Sequence, residues 1–415
     1  MPMTTSAIEQ QTVRSACDAP AVAESVTGLI LSGGGARAAY QVGVLAGIAD
    51  LLPAGAQNPF PVIVGTSAGA INAVKLASGA AHFRTAIHEL TLFWQSFRSH
   101  QVLRSDWAGV MRQASRFFVR SLLGIGRKQV PVALLDSSPL KELLTERLNL
   151  AGIEAAINDR HLRAVAVTAF GYESGQAVTF YQGKGTIDAW LRHRRIGQPT
   201  QLTVDHLLAS SAIPLLFAPV KLEHEYFGDG AVRQSAPISP ALHLGANRVL
   251  VVGVSGNPRG PGANKPVHRA VSGAQPSLAQ ISGHMLNSTF IDSLESDIEL
   301  LERLNLLSRM LPPSMPHQPS PQISEQPTPV QSLAPVEVLV ISPSQPLDEI
   351  AARHRRELPA ALRTFLRGPG ATKTSGAGVL SYLLFESGYC SELIELGRRD
   401  AMAQKEQLMK FLRLD

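Results

Sequence analysis

Phe60-Pro61-Val62-Ile63-Val64-Gly65-Thr66-Ser67-Ala68-Gly69-Ala70-Ile71-Asn72-Ala73-Val74 is the stretch on which the fold turns. Its β-branched start reads as a short buried strand and its alanine-rich end as the opening of a helix. Between them, Gly65-x-Ser67-x-Gly69 has the form of a nucleophile elbow, a strained strand-to-helix turn that presents a serine hydroxyl. The first amides of the following helix then point near that hydroxyl. Glycine is abundant here, 34 of 415 residues, so the motif alone is equally a Gly-rich loop entering a helix. The surrounding chain separates the two readings.

Upstream, Val26–Ser32 is a second short apolar run, stopped by Gly33-Gly34-Gly35-Ala36-Arg37-Ala38. A helix is expected from there to about Leu52, with Tyr40, Val44, Ile48 and Leu51 at helical spacing and Pro53 beyond its end. Strand, helix, strand and helix in such quick succession predict a parallel sheet with crossover helices.

Downstream, Phe83–Arg127 reads as helical, with an apolar stripe between Trp107 and Leu122 and arginines at 112, 116 and 120. That stripe fits an ordinary surface helix better than a lid or a lipid-facing one. A turn at Asp136-Ser137-Ser138-Pro139 predicts a helix over Leu140–Leu148. Arg163–Phe170, Ala177–Tyr181 and Arg248–Val254 read as strands, and Val204–Ser211 as a short helix. Val220–Phe227 alternates as one exposed strand ending at Gly228-Asp229-Gly230-Ala231. Ile281–Leu311 has one apolar helical face: Leu286, Phe290, Leu294, Ile298 and Leu301. The Pro-, Ser- and Gln-rich residues 312–335 resist packing. Because Val336–Ile341 resembles one more sheet strand, they read as an insertion within one fold. Residues 1–25 are expected to form a flexible arm and 26–415 a single domain, helical from about 345, with helices over Gly378–Cys390 and Ser391–Leu414.

Hydrophobic content of 45% and charged content of 17% fit a globular chain with a large core. Two cysteines, Cys17 and Cys390, make no disulfide framework, which points to a reducing compartment. The first 25 residues lack the basic start and apolar core of a signal peptide. No window has the roughly 18 consecutive apolar residues of a membrane span. A net charge of +5 leans toward anionic partners, lipid headgroups or nucleic acid.

The Gly33–Gly35 loop admits three chemical uses. Gly33-x-Gly35-x-x-Ala38 formally fits a dinucleotide fingerprint, but that requires an acidic residue closing a second strand about 20 residues on. Asp50 falls within the first helix instead, and the second strand ends in the serine turn. A phosphate-binding P-loop would need Gly-Lys-Ser/Thr, which is missing. The third use is an oxyanion hole, in which consecutive glycine amides converge on a developing negative charge. Arg37 would then order the loop or bind a substrate phosphate.

A serine nucleophile needs a proton acceptor. None of the twelve histidines is singled out by its context; His161, His193, His206, His224 and His243 read as surface or satisfied core groups. Asp229, at a strand end between two glycines, is the better candidate beside the plainer reading of an Asp-Gly turn. With an ordinary pKa of about 3.9 it would be a feeble base unless burial raised its proton affinity.

Taken in order, Gly33-Gly34-Gly35-x-Arg37, Gly65-x-Ser67-x-Gly69 and Asp229-Gly230-Ala231 resemble the patatin-like phospholipase family. Ala209-Ser210-Ser211-Ala212-Ile213-Pro214 is similar to the segment that precedes the aspartate strand in that family. The motifs cover roughly residues 26–255. Ala38 departs from the family pattern, which usually has a glycine there. The resemblance implies an α/β fold of three α/β/α layers around a mainly parallel sheet, and a serine–aspartate dyad without a third catalytic residue. It makes Ser67 the nucleophile and Asp229 the base, with the amides of Gly33, Gly34 and Gly35 as oxyanion hole and Arg37, Gly65, Gly69 and Gly230 in support.

The implied activity is ester hydrolysis of phospholipids or lysophospholipids through an acyl-enzyme, with no metal or other cofactor. The implied partners are lipid and, transiently, a membrane surface met from the cytoplasm, with no role for nucleic acid. Acyl transfer or thioester hydrolysis on the same dyad, or lipid binding without catalysis, are the alternatives.

Overall fold

The computed structural model describes residues 25–102, 133, 135–234, 237–255, 281, 284, 285, 288, 293–310, 335–367 and 377–414. Nearly all of the N-terminal arm and of the 312–335 stretch, and the whole Trp107–Leu122 stripe, lie outside these residues, as do Leu286 and Phe290.

The chain opens with β1 (Thr27–Leu31), α1 (Ala39–Leu51), β2 (Val62–Thr66), α2 (Ala68–Ser78) and α3 (Phe83–Gln95). α4 (Ser138–Arg147) and α5 (Ala151–Asn158) lead into β3 (Ala164–Gly171), β4 (Ala177–Gly183), β5 (Trp190–Arg192) and β6 (Arg195–Pro199). Then come α6 (Val204–Ser210), β7 (Val220–Leu222), β8 (Glu225–Asp229), α7 (Ser239–His243) and β9 (Arg248–Val252). The chain continues through α8 (Ser293–Met310), β10 (Glu337–Ile341), α9 (Leu347–His354), α10 (Ala360–Arg367), α11 (Ala377–Leu383), α12 (Ser387–Ala403) and α13 (Lys405–Leu412).

The sheet runs β10-β9-β1-β2-β3-β4-β6-β5, with β8 pairing β3 and β7 pairing β8. β10, β9, β1, β2 and β3 are mutually parallel, and β4 reverses direction. The central strands are buried on both faces, which explains their near-continuous Val, Ile and Leu. Leu29, Leu31, Ile63, Val165, Val167, Leu250 and Val252 point into a core shared with α1, α2, α3 and α12. Ile30, Val62, Val64, Ala164, Ala166, Val249 and Val251 point the other way, against Ile238 and Ala241 near α7 and Leu294 and Ile298 of α8. Helices therefore cover both faces, giving the expected three α/β/α layers.

α1 and α12 cross at glycines: a Cβ at Gly43 would lie 1.9 Å from the Ile394 carbonyl oxygen. Asp400 of α12 accepts the Tyr40 hydroxyl at 2.9 Å and both the amide (2.9 Å) and hydroxyl (2.6 Å) of Ser344, which follows β10. The C-terminal helices are thereby fastened to the same layer as α1.

The structure corrects several local expectations. Val220–Phe227 is a hairpin rather than one strand, because the chain reverses at Glu223-His224, with Glu223 at φ 50. The C-terminal break falls at Leu384–Glu386, so Cys390 lies inside α12. Phe385 fixes that break by packing on Trp94 and Phe97 (centroids 6.3 and 5.9 Å). Of the helical stretch expected over Phe83–Arg127, Phe83–Gln95 and Ser99–Val102 are helical with a break between them, and the rest lies outside the described residues. The β5–β6 hairpin and the helices α5 and α7 carried no clear sequence signal. Among the described residues, no helix is long and apolar enough to cross a membrane.

Candidate active site

The loops leaving the carboxyl ends of β1 and β2 lie side by side, where open α/β sheets characteristically place their ligands. Ser67 stands between β2 and α2 with φ 56 and ψ −131, a conformation strained for any side-chain-bearing residue. Gly69 permits the turn by closeness: a Cβ there would lie 2.3 Å from the Leu31 carbonyl oxygen. The elbow is thus pressed against the end of β1, where the glycine loop begins.

Sheet register brings Asp229 to Ser67. β2 pairs with β3 only as far as Thr66↔Thr168, and β8 takes over at the next row, Asp229↔Ala169. The last residue of β8 therefore stands beside the first residue after β2. The Ser67 hydroxyl donates to Asp229 Oδ2 at 2.7 Å, and the Ala231 amide donates to Oδ1 at 3.0 Å. The Asp229 amide donates to the Ala212 carbonyl at 2.9 Å. Gly230 is needed because a Cβ there would lie 2.1 Å from the Thr168 carbonyl oxygen.

Asp229 is fully buried, and removal from water pushes its carboxyl up from 3.8 to about 7. The hydrogen bonds from Ser67 and Ala231 pull the other way without offsetting that cost. A carboxylate tuned in this direction is a competent proton acceptor near neutral pH.

The Gly33–Gly35 loop is wholly buried. Gly35 takes φ +55, and a Cβ there would lie 2.3 Å from the Tyr382 carbonyl oxygen of α11. Arg37 lies beneath the loop. Its Nε donates to Ser381 Oγ at 2.8 Å, one terminal nitrogen reaches the Tyr382 hydroxyl at 3.4 Å, and the guanidinium sits 4.1 Å from the centre of the Tyr382 ring. At 4% exposure it is packed between the loop and α11. Ala38 has φ −64 and ψ −12, an ordinary helical conformation that requires no glycine.

Residues not singled out by sequence tie these parts together. Gln41 Nε2 donates to the Ser32 carbonyl at 2.8 Å. Asn72 Nδ2 donates to the Ala38 carbonyl and to Gln41 Oε1, each at 3.0 Å, and its Oδ1 accepts Trp94 Nε1 at 2.7 Å. Glycine loop and elbow helix are therefore joined through one buried amide. Thr66 donates to Gln234 Oε1 at 2.6 Å, and Gln234 Nε2 donates to Thr168 Oγ1 at 3.3 Å. Ser210 accepts the Ser67 amide at 2.8 Å. Asn72 and Ser210 both fall within motif stretches, which was their only sequence signal.

No described histidine bonds to Ser67 or Asp229. His206 closes a capping box with Thr203 at the start of α6, and His243 stacks on Trp190 at 4.8 Å. Asp50 lies near the end of α1, where it pairs with Arg398 at 2.7 Å. Among the described residues, no group of three or more His, Cys, Asp or Glu side chains converges as a metal site would.

Several known proteins are similar to this chain. The chain is 30% identical over 223 residues to a cGAMP-activated phospholipase of Pseudomonas aeruginosa, covering 52% of this chain and 55% of that protein. It thus spans about half the length of the curated relative it matches. Among solved structures, human GIVD cytosolic phospholipase A2 bound to methyl gamma-linolenyl fluorophosphonate is similar with a TM-score of 0.43 and 15% identity, over 94% of this chain and 58% of that one. VipD from Legionella pneumophila is similar with a TM-score of 0.28 and 12% identity, over 90% and 67%. The profile of the patatin-like phospholipases matches residues 29–242, more than half of the chain and all three motifs. The chain belongs to the patatin-like phospholipase family.

Proposed function

We propose that this chain is a serine acyl hydrolase that cleaves ester bonds of phospholipids or lysophospholipids, with Ser67 as nucleophile and Asp229 as base. The observation that carries this is the 2.7 Å hydrogen bond from the Ser67 hydroxyl to a fully buried carboxylate whose proton affinity burial has raised. The lipid class is supported by family membership and by the relative named as a phospholipase.

In the first half-reaction Ser67 Oγ attacks the ester carbonyl carbon while its proton passes to Asp229 Oδ2. The carbonyl oxygen becomes an oxyanion facing the amides of Gly33, Gly34 and Gly35. Collapse breaks the acyl carbon–oxygen bond, and the Asp229 proton leaves with the alcohol. A water molecule then attacks the acyl-enzyme and gives its proton to Asp229. Fatty acid departs, and the proton returns to Ser67. Oxyanion donors are typically worth about 100- to 1,000-fold in rate each, which explains why so many contacts brace that loop.

Residues 26–415 act in this reading as one unit. Supporting this, β10 pairs with β9 in the same sheet, and α11 and α12 brace the loop and α1. A membrane-resident substrate also requires contact with the lipid surface.

The test is labelling with a fluorophosphonate probe, followed by a panel of phospholipid, lysophospholipid, acylglycerol and acyl-thioester substrates assayed by product mass. Ser67 is expected to carry the label, and Ser67→Ala to lose label and activity. A folded wild-type protein left unlabelled, or a Ser67→Ala variant that labels equally, would sink the assignment.

A further inference from the structure

One short segment holds both members of the Ser67–Asp229 pair. The Ser210 hydroxyl, at the last residue of α6, accepts the Ser67 amide at 2.8 Å and donates to the Thr168 carbonyl at 2.6 Å. Two residues on, the Ala212 carbonyl accepts the Asp229 amide at 2.9 Å. Ser210 has no solvent exposure, and its hydroxyl donates and accepts at once, within the capacity of that group. The segment is rigid at its origin, because Thr203 and His206 close the capping box of α6.

The bond falls on the residue that most needs it. Ser67 is held at φ 56 and ψ −131 and is 2% exposed, so its amide has no access to bulk water. A buried amide without an acceptor is costly, and a strained turn relaxes when its restraint is removed. Relaxation at Ser67 would swing its hydroxyl away from Asp229. Because the Ser67 amide is already directed at Ser210, it is not available to a substrate oxyanion.

We propose that Ser210 is a positioning residue, whose hydroxyl bridges the Thr168 carbonyl and the Ser67 amide and so holds the strained elbow with Ser67 Oγ in line with Asp229. The proposal rests on the reading of Ser67 as nucleophile. Loss of the bridge acts on kcat rather than on KM, because it misplaces the reacting atom and leaves the substrate pocket alone. It also acts on the pH profile. The Ser67 hydrogen bond lowers the Asp229 pKa, so a misaligned hydroxyl moves the acid limb to higher pH.

The experiment uses the full chain with Ser210→Ala, the near-isosteric Ser210→Cys and Ser211→Ala. Ser211 is the neighbouring control, because its buried hydroxyl has no hydrogen-bond partner. A soluble p-nitrophenyl ester gives kcat, KM and the pH–rate midpoint, and hydrogen exchange followed by NMR reports the Ser67 amide. For Ser210→Ala, kcat is expected to fall about 10- to 100-fold with KM within about twofold. The acid limb should move up, and the Ser67 amide should exchange at least about tenfold faster. Ser210→Cys should fall between, since a thiol is a weaker donor and acceptor, and Ser211→Ala should match wild type.

A folded Ser210→Ala protein with wild-type kcat and Ser67 exchange would overturn the proposal, as would an equal loss in Ser211→Ala. Should Ser210→Ala not fold, Ser210→Cys is read by the same measurements, and wild-type values there would overturn it too. A wild-type chain with neither esterase activity nor label on Ser67 refutes the hydrolase reading instead, while amide exchange still reads the bridge.

Discussion

The Ser67 hydroxyl lies 2.7 Å from Asp229 Oδ2, although 162 residues separate them in the chain. The contact follows from two strands sharing one edge of β3: β2 ends opposite Thr168, and β8 arrives opposite Ala169. A hydroxyl held against a carboxylate in a dry pocket has consequences that can be measured.

The first concerns rate and pH. Asp229 accepts a proton only as carboxylate, so kcat/KM for an uncharged soluble ester should rise with pH through a midpoint near the folded pKa of about 7. Below it the rate should fall about tenfold per pH unit. A midpoint near 4 would show that burial does not tune this group.

A second concerns stability and pH. Because the folded carboxyl holds its proton to higher pH than the unfolded one, the native state binds more protons between about pH 4 and 7. Stability therefore falls as pH rises through that window. The rise from 3.8 to about 7 corresponds to at most about 4 kcal/mol. In Asp229→Asn the amide can still accept from Ala231 and donate to Ser67. That variant should melt above wild type at pH 8 and approach it at pH 4, by thermal denaturation, while losing esterase activity. Equal melting shifts at both pH values would contradict the buried-charge account.

The third separates the two roles open to Arg37. Its planar fork reaches Ser381 and Tyr382 while stacking on the Tyr382 ring, a set that lysine cannot reproduce. Arg37→Lys should lower kcat about tenfold or more by loosening the glycine loop. The loss should be the same for a phospholipid and for a p-nitrophenyl ester that has no phosphate. A deficit confined to the phospholipid would identify Arg37 as a headgroup ligand instead.

Much of this was legible locally. The Val62–Val64 run, the small residues after Ser67 and the glycines around both predict strand, turn and helix from steric rules acting over a few residues. Parallel packing follows from the short spacing of the first two strand–helix units. The hairpin at Glu223-His224 was not legible, because alternation of apolar residues persists across the reversal and only the φ of Glu223 marks it. The interruption at Leu384–Glu386 escaped notice for a similar reason: it is fixed by Trp94 and Phe97, nearly 300 positions away.

Residue order alone sets out the three motifs and the crossover topology of the first strand–helix units, since these depend on local geometry and spacing, while the pairing of Ser67 with Asp229 entered only through the resemblance to the patatin-like phospholipases. That Arg37 reaches Ser381 and Tyr382, that Ser210 accepts the Ser67 amide, and that burial raises the Asp229 pKa to about 7 are properties of the assembled molecule. Each depends on groups brought together from distant positions and on the exclusion of water around them, and none of the three is encoded in a local run of residues. Gly65-Thr66-Ser67-Ala68-Gly69 specifies a strained serine, and only the packing of β8 and α6 around it gives that serine its carboxylate and its tether.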